Sequence, residues 1–468
     1  MTTEGRGQMT DRAFHFIGVG GAGMSVVAEL LADRGMRVSG SDQADGPALD
    51  HLRSLGVDVH VGHDAANVPP GAVVVVSSAV RDSNVELACA RGRGQRVLHR
   101  SQALALAASG MRFVAVAGAH GKTTTSGMLV IALREAGMDP SAAIGGVVPQ
   151  LGAGALLGRG DVFVAEADES DGSFLNYSPA VEVVTNVEPD HLDHYGTREA
   201  FEQAFADFAD RLGPGGVLVC CAEDAGARRL ALAAAASGRA VRTYGRPERC
   251  DPAPDVRVEE VRESSSGSRA ALVDGAERVG LTVSVPGAQN VLNAAGAWTA
   301  GVALGVAPEL MARSLAAFRG TARRFEARGR VGSRRLFDDY AHHPTEVAAA
   351  LAEARLVAGD GPVTVVFQPH LYSRTRAFAD RFARALGAAD AVVVTGIYGS
   401  REDPIEGVDS SLITDRLPGA RLVPDLHEAA RAGARLTGDG GILVTMGAGD
   451  ITTVGDDVLD EWRREDQA

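Results

Sequence analysis

The run Gly118-Ala119-His120-Gly121-Lys122-Thr123-Thr124-Thr125 is suited to hold a phosphate chain. An apolar stretch, 113–117, precedes it, and a helix is expected from about Thr123 to Ala136. A strand that turns through glycines into a helix aims backbone N–H groups at an anion. In such a loop the lysine is a point charge for the terminal phosphates, and the next hydroxyl, Thr123, can ligate Mg²⁺. A standard P-loop has glycine where Val116 stands, so this is a shortened variant. The alternative is a glycine turn and a helix cap. The intact Gly-Lys-Thr between strand and helix favours a nucleotide.

Composition isolates the same residue. Lys and Arg together number 46, and every one but Lys122 is arginine. A codon bias towards Arg, Ala and Gly accounts for the missing lysines but not for the one retained. Arginine is a broad planar fork and lysine a thin donor, so the two are not interchangeable in a tight loop.

Carboxylates and histidines gather at the ends of later strands. The stretch 161–167 runs into Glu166-Ala167-Asp168-Glu169-Ser170-Asp171, four acids in six residues. These repel unless a cation sits among them. A strand-end carboxylate beside a phosphate loop is one way Mg²⁺ is held, so Glu166 is the expected metal ligand. The strand at 181–187 leads into Thr185-Asn186-Val187-Glu188-Pro189-Asp190-His191-Leu192-Asp193-His194. A neutral histidine among orienting carboxylates is a competent ligand, and His191 is the second expected one. Asp338-Asp339-Tyr340-Ala341-His342-His343-Pro344 and Gln368-Pro369-His370-Leu371-Tyr372-Ser373-Arg374-Thr375 each follow a further strand. Ligands of open α/β sheets bind beyond the carboxyl ends of the strands, where these clusters fall.

A second glycine run, Gly18-Val19-Gly20-Gly21-Ala22-Gly23, matches GxGxxG after the apolar run 13–19, and Asp42 stands about 20 residues on. That pattern suits a dinucleotide, but it equally suits any pyrophosphate attached to a ribose, including a UDP-sugar. The motif alone does not choose.

The elements positioning these residues alternate strand and helix, which implies an α/β fold of parallel sheets with flanking helices. Strands are expected at 73–76 (ending at Ser77 and Ser78), 216–220, 335–339, 363–368, 391–395 and 441–446. Residues 255–285 alternate valine with charge around a Ser-rich turn and read as a small antiparallel insertion. At roughly 150 residues per domain, 468 residues suggest about three domains, with boundaries expected at 1–110, 111–320 and 321–468. A net charge of −14 makes a general basic surface for nucleic acid or an anionic membrane a poor expectation. No apolar run approaches the roughly 18 residues of a membrane span, and the first residues lack a secretory core. Four cysteines, two of them adjacent, form no disulfide or zinc pattern. The expectation is a cytoplasmic protein with small-molecule partners; whether it is a monomer or a dimer is not legible.

Taken in order, the motifs resemble those of the Mur ligases of peptidoglycan synthesis. They are HFIGVGGAGMS (15–25), GAHGKTTT (118–125), EADESD (166–171), TNVEPDHLDH (185–194), NVLNAA (290–295), RRFE (323–326), DDYAHHPTE (338–346), FQPHLYSRT (367–375) and GAGDI (447–451). The resemblance implies a Rossmann-like N-terminal domain for a UDP-sugar, a P-loop ATPase-like central domain and a dinucleotide-fold-like C-terminal domain. It implies ATP and Mg²⁺, and ligation of L-alanine to the lactyl carboxylate of UDP-N-acetylmuramate through an acyl phosphate. By the same resemblance Gly18, Gly20, Gly21, Gly23, Ser41, Asp42, Ser77 and Ser78 meet the UDP-sugar. Gly118 to Thr124, Asn293, Arg324 and Asp339 meet ATP, and Thr123, Glu166 and His191 hold the metal. Tyr340, His370 and Arg374 meet the amino acid, while Lys122, His191, His342 and Arg374 act in catalysis. Because these roles span domains, closure is expected. Four positions depart from the pattern: Ala119 replaces a usual Thr, Gln289 a His and Leu371 an Arg. Phe205 stands about 14 residues after His191, where related enzymes carry a carbamoylated lysine, so no such group is expected here. The alternatives are a recycling ligase that adds a murein tripeptide to the same UDP-sugar, and, more distantly, a nicotinamide-dependent dehydrogenase.

Overall fold

The structure, a computed structural model, describes residues 13–190, 192–400 and 402–467, and only the backbone of residues 22, 192 and 193. His191, one of the expected metal ligands, therefore lies outside the described residues. Three α/β sheets follow one another along the chain, each mainly parallel and each flanked by helices.

The first sheet has the order β3-β2-β1-β4-β5, formed by Ala13–Ile17 (β1), Arg37–Asp42 (β2), Asp58–Val61 (β3), Val73–Val76 (β4) and Val97–His99 (β5). All four pairings are parallel. The order reverses between β1 and β4, and at such a switch point a crevice opens for a ligand. The Gly18 turn and Ser77-Ser78 lie at the ends of those two strands.

The second sheet is organised about Arg112–Ala117 (β6), buried along nearly its whole length. On one side stand Val162–Glu166 (β9), Ser141–Val148 (β7) and Ala153–Leu156 (β8). On the other stand Val181–Val184 (β10), Val217–Cys221 (β11) and Ala240–Gly245 (β12), then the expected insertion, Val256–Ser264 (β13), Gly267–Asp274 (β14) and Glu277–Val283 (β15). The run VFVA in β9 is buried on both faces, as strands covered by helices on both sides must be.

No strand was expected between 136 and 161, yet β7 and β8 occupy much of it. Their composition, SAAIGGVV and AGAL, lacks the β-branched alternation that marks a strand. Close approach explains the glycines: a Cβ on Gly154 would lie 2.8 Å from the carbonyls of Ile144 and Gly146.

The third sheet has the order β16-β17-β21-β18-β19-β20, formed by Glu326–Val331 (β16), Arg334–Asp339 (β17), Val363–Phe367 (β18), Ala391–Val394 (β19), Arg421–Leu422 (β20) and Ile442–Met446 (β21). Only β16 runs antiparallel, and it is largely exposed. His343 caps the helix Pro344–Ala358, with Pro344 in its first turn and Glu346 closing the capping box.

By compactness the chain falls into two units. One holds the chain up to Glu259 with Ala271–Leu281 and Leu292–Phe318; the other holds Glu260–Ala270, Thr282–Val291 and Arg319–Ala468. In the first unit one core runs from Phe14 and Val27 through Phe113 and Phe163 to Phe205 and Leu230, and a smaller one gathers Ile17, Val68, Val74 and Leu87. In the second unit, one core includes Leu351, Phe367 and Phe382, and another includes Leu443 and Trp462.

Candidate active site

In the first unit the chemistry-bearing residues lie at the carboxyl ends of β6, β9 and β10. Gly118 and Gly121 take φ values of +131° and +81°, which only glycine adopts without strain. They turn the chain from β6 into the helix Lys122–Glu135. The Lys122 ammonium donates to Gly118 O at 2.6 Å and Ala119 O at 3.4 Å, and pairs with Glu169 Oε1 at 2.8 Å. Burial opposes the charge, but Glu169, Glu166 and Asp168 offset it, so the ammonium is held above its ordinary pKa. The expected cation is thus present in the loop and already neutralised by acids.

The loop is braced from β10. Thr185 Oγ1 donates to His120 O at 2.6 Å and Ala117 O at 3.2 Å. Asn186 Nδ2 donates to His120 O at 2.9 Å, and its Oδ1 accepts from His120 N at 2.9 Å. The His120 ring lies 3.2 Å from Glu188 Oε2. Asn293 comes within 2.8 Å of a Cβ built on Gly121, which puts this expected nucleotide contact against the loop. Glu166 Oε2 accepts from Gly145 N at 2.8 Å, and a Cβ on Gly145 or Gly146 would strike Glu166 or Thr123. Thr123 and Thr124 are buried in the first turn of the helix.

The other glycine loop has no cation of its own. Gly18 N and Val19 N donate to Ser41 O at 2.8 and 2.9 Å, and Gly20 N donates to Asp42 Oδ2 at 2.8 Å. A Cβ on Gly20 would lie 2.6 Å from Leu49 Cδ1, and one on Gly23 would strike Arg100. Gly21 is exposed at the head of the helix. The Ser41 side chain is fully buried, and its hydroxyl donates to Glu86. Ser77 is half-buried. The exposed Ser78 donates to Asp171 of the acidic run, with His99 Nε2 3.2 Å from Ser78 Oγ.

In the second unit the expected residues form another group. The Tyr340 and His342 ring centres are 5.3 Å apart, those of His342 and His370 5.6 Å, and those of His370 and Tyr398 5.9 Å. Arg374, 6% exposed, reaches His370 Nδ1 at 3.1 Å. Arg323 and Arg324 stand over the Tyr340 ring. Arg324 Nη1 also meets Glu346 Oε1 at 3.4 Å, and Glu346 Oε2 accepts from His342 N at 3.0 Å. Asp339 accepts from Phe325 N and Ala341 N, each at 2.7 Å. Burial drives its carboxyl up to about 6, against the opposing pull of Arg324 and the two amides.

Three family models match in succession. The Mur ligase family catalytic domain matches residues 13–112, the Mur ligase middle domain 116–301, and the Mur ligase glutamate ligase domain 323–449. The chain belongs to the Mur ligase family. A UDP-N-acetylmuramate–L-alanine ligase of Kineococcus radiotolerans is 54% identical to this Mur ligase over 95% of both chains. Another of that name, from Paenarthrobacter aurescens, is 51% identical over 97% of this chain and 98% of its own length. The crystal structure of UDP-N-acetylmuramate-alanine ligase MurC from Thermotoga maritima superposes with a TM-score of 0.77 at 28% identity, covering 97% of this chain and 99% of that one. Family membership leaves no ground for the dehydrogenase alternative.

The departures from the family pattern acquire physical content in this Mur ligase. Phe205 is fully buried, its ring centre 5.4 Å from Phe174 and 5.2 Å from Phe201, so the position is core. Gln289 donates to the buried Glu353 at 2.7 Å. Leu371 takes φ +70°, a strained value for a branched residue, and its N–H donates to Tyr398 O at 3.0 Å.

Glu169, Thr185, Asn186 and Tyr398 were not singled out from sequence. Glu169, Thr185 and Asn186 lie within motifs already read, and Tyr398 follows β19. The rule that ligands gather at strand ends, applied to every strand, would have flagged all four.

Proposed function

We propose that this Mur ligase joins L-alanine to the lactyl carboxylate of UDP-N-acetylmuramate, with ATP converted to ADP and phosphate. The carrying observation is identity above 50% with ligases of that name along nearly the whole chain. On this reading the reaction is cytoplasmic, where both nucleotides are held.

In the first step a lactyl carboxylate oxygen attacks the γ-phosphorus and ADP leaves, so that two anions must meet to give an acyl phosphate. That step needs positive charge placed in advance of the reaction. Lys122 supplies that charge. It exchanges Glu169 and the loop carbonyls for phosphate oxygens when the nucleotide enters, while the loop amides orient the phosphate chain. Asn293 holds the nucleotide against the loop, and Arg324 and Asp339 are the further ATP contacts that the family pattern implies. In the second step the alanine amine attacks the acyl carbon, phosphate leaves, and His342 accepts the proton shed by the amine. Arg374, set by His370, grips the alanine carboxylate through its fork.

The hydroxyl of Thr123 and the carboxylate of Glu166 are hard oxygen donors of the kind Mg²⁺ selects. Gly145 approaches the Glu166 carboxylate, and Gly146 the Thr123 methyl, so closely that a side chain on either glycine would crowd these donors. They fit the ion, with His191 as the further ligand the family pattern implies. When bound, Mg²⁺ would neutralise charge on the phosphates.

Phosphate release with ATP, Mg²⁺ and UDP-N-acetylmuramate tests the reading. It is expected with L-alanine, and release only with the murein tripeptide would replace the reading by that of the recycling ligase.

A further inference from the structure

Glu86 has no part in the chemistry described, yet it is a buried acid with both carboxylate oxygens met by donors. It sits in the first turn of the helix Val85–Gly92, with no exposed surface. Its Oε2 accepts from Ser41 Oγ at 2.5 Å and lies 3.5 Å from both His15 Nε2 and His63 Nδ1. Its Oε1 accepts from Asn67 Nδ2 at 2.9 Å and Asp64 N at 3.1 Å. Ser41 also meets His63 Nδ1 at 2.9 Å, and His15 meets Ser39 at 2.9 Å. One carboxylate thus ties β1, the end of β2 and the turn 62–67 to a single helix.

Burying such a group is costly unless its lone pairs are met. Here the donors more than offset the desolvation that would raise it, and the carboxyl is held down to about 2. A fold needing only a filled core could place an apolar residue there, as the neighbouring Leu87 does. What the network holds is specific. Ser41 O accepts the amides of Gly18 and Val19, Asp42 accepts that of Gly20, and Asp42 O accepts from Gly62 N at 2.7 Å. Three successive amides of the glycine loop therefore hang on Ser41 and Asp42, and Glu86 fixes Ser41 and the turn beside Asp42.

We propose that Glu86 is a positioning residue for sugar-nucleotide binding, holding through Ser41 and the 62–67 turn the strand end on which the Gly18–Gly23 loop is built. This rests on reading that loop as the UDP-sugar loop. Glu86 touches no substrate, so its removal degrades binding and leaves chemistry alone.

The test compares wild type with Glu86→Gln, and with the milder Asn67→Ala, which removes one donor to Glu86, in case the first fails to fold. UDP affinity is read by calorimetry and the Michaelis constants by phosphate release. The expected result is a UDP Kd and a KM for UDP-N-acetylmuramate about tenfold higher in each folded variant, with kcat and the KM for ATP within about twofold. A core role alone would lower the melting temperature without separating the two KM values. Unchanged UDP affinity in folded variants of a wild type that binds UDP overturns the proposal alone. A wild-type chain that binds no UDP overturns the functional reading and the proposal with it.

Discussion

The two glycine loops of the first unit use one geometry for different ends. Each leaves a buried strand at the middle of a parallel sheet and enters a helix. The Gly18–Gly23 loop is fixed through its amides, by Ser41 O and the Asp42 carboxylate. The Gly118–Thr125 loop is fixed mainly through its carbonyls, by Thr185, Asn186 and its own lysine, with one amide, that of His120, donating to Asn186 Oδ1. A buried glutamate belongs to each region, and the two are opposites. Glu86 is met by donors and held low, whereas Glu182 on β10 is fully buried with neither carboxylate oxygen hydrogen-bonded, so burial raises its carboxyl well above the ordinary range.

The largest break in that comparison comes from Lys122. Lys122→Arg should lower kcat by about 10²–10³-fold, since one preorganised donor is worth that much and the guanidinium is too wide for the socket formed by Gly118 O and Glu169. Phosphate release alongside circular dichroism checks it, and near-normal turnover would remove the charge argument. Asp42→Ala should act on the other side, raising the KM for the UDP-sugar about tenfold while sparing that for ATP. Equal rises in both would erase the division between the loops.

Thr185→Val removes the hydroxyl's bonds to His120 O in the loop and to Ala117 O at the end of β6. It should cost about 1–2 kcal/mol in urea denaturation and raise the KM for ATP severalfold.

The smallest effect concerns the two acids and pH. Glu182 has its pKa raised on folding, so its contribution is complete below the unfolded value near 4.5 and is lost as pH rises towards the folded value. Glu182→Gln should therefore gain stability over wild type at pH 8, with the gain shrinking at pH 5. Glu86 has its pKa lowered, so its contribution is present above about 4.5 and lost as pH falls towards about 2. Urea midpoints across pH should show opposite slopes for the two substitutions, and parallel slopes would mean that the two acids share one environment.

Much of this was legible. Strand–loop–helix order, the GKT run and the clustering of polar residues at strand ends follow from local periodicity and from where parallel sheets leave backbone amides free. Lys122 could be singled out because a lone lysine among arginines is visible in a count. Glu86 could not be, because it is one acid in an ordinary helix turn and its partners come from positions 15, 41, 63, 64 and 67. β7 and β8 escaped because glycine and alanine carry no strand signal; close packing of backbones put them in the sheet.

By itself, then, the sequence determined which residues could carry chemistry and the order of elements bearing them. Side-chain type and short-range periodicity are properties of the chain. Only the tertiary structure decided that Lys122 rests on Glu169, that Ser41 turns inward to Glu86, and that Tyr398 stacks on His370. Each of those pairings joins residues far apart in the chain, and burial, which sets their charge and direction, exists only once the sheets have formed.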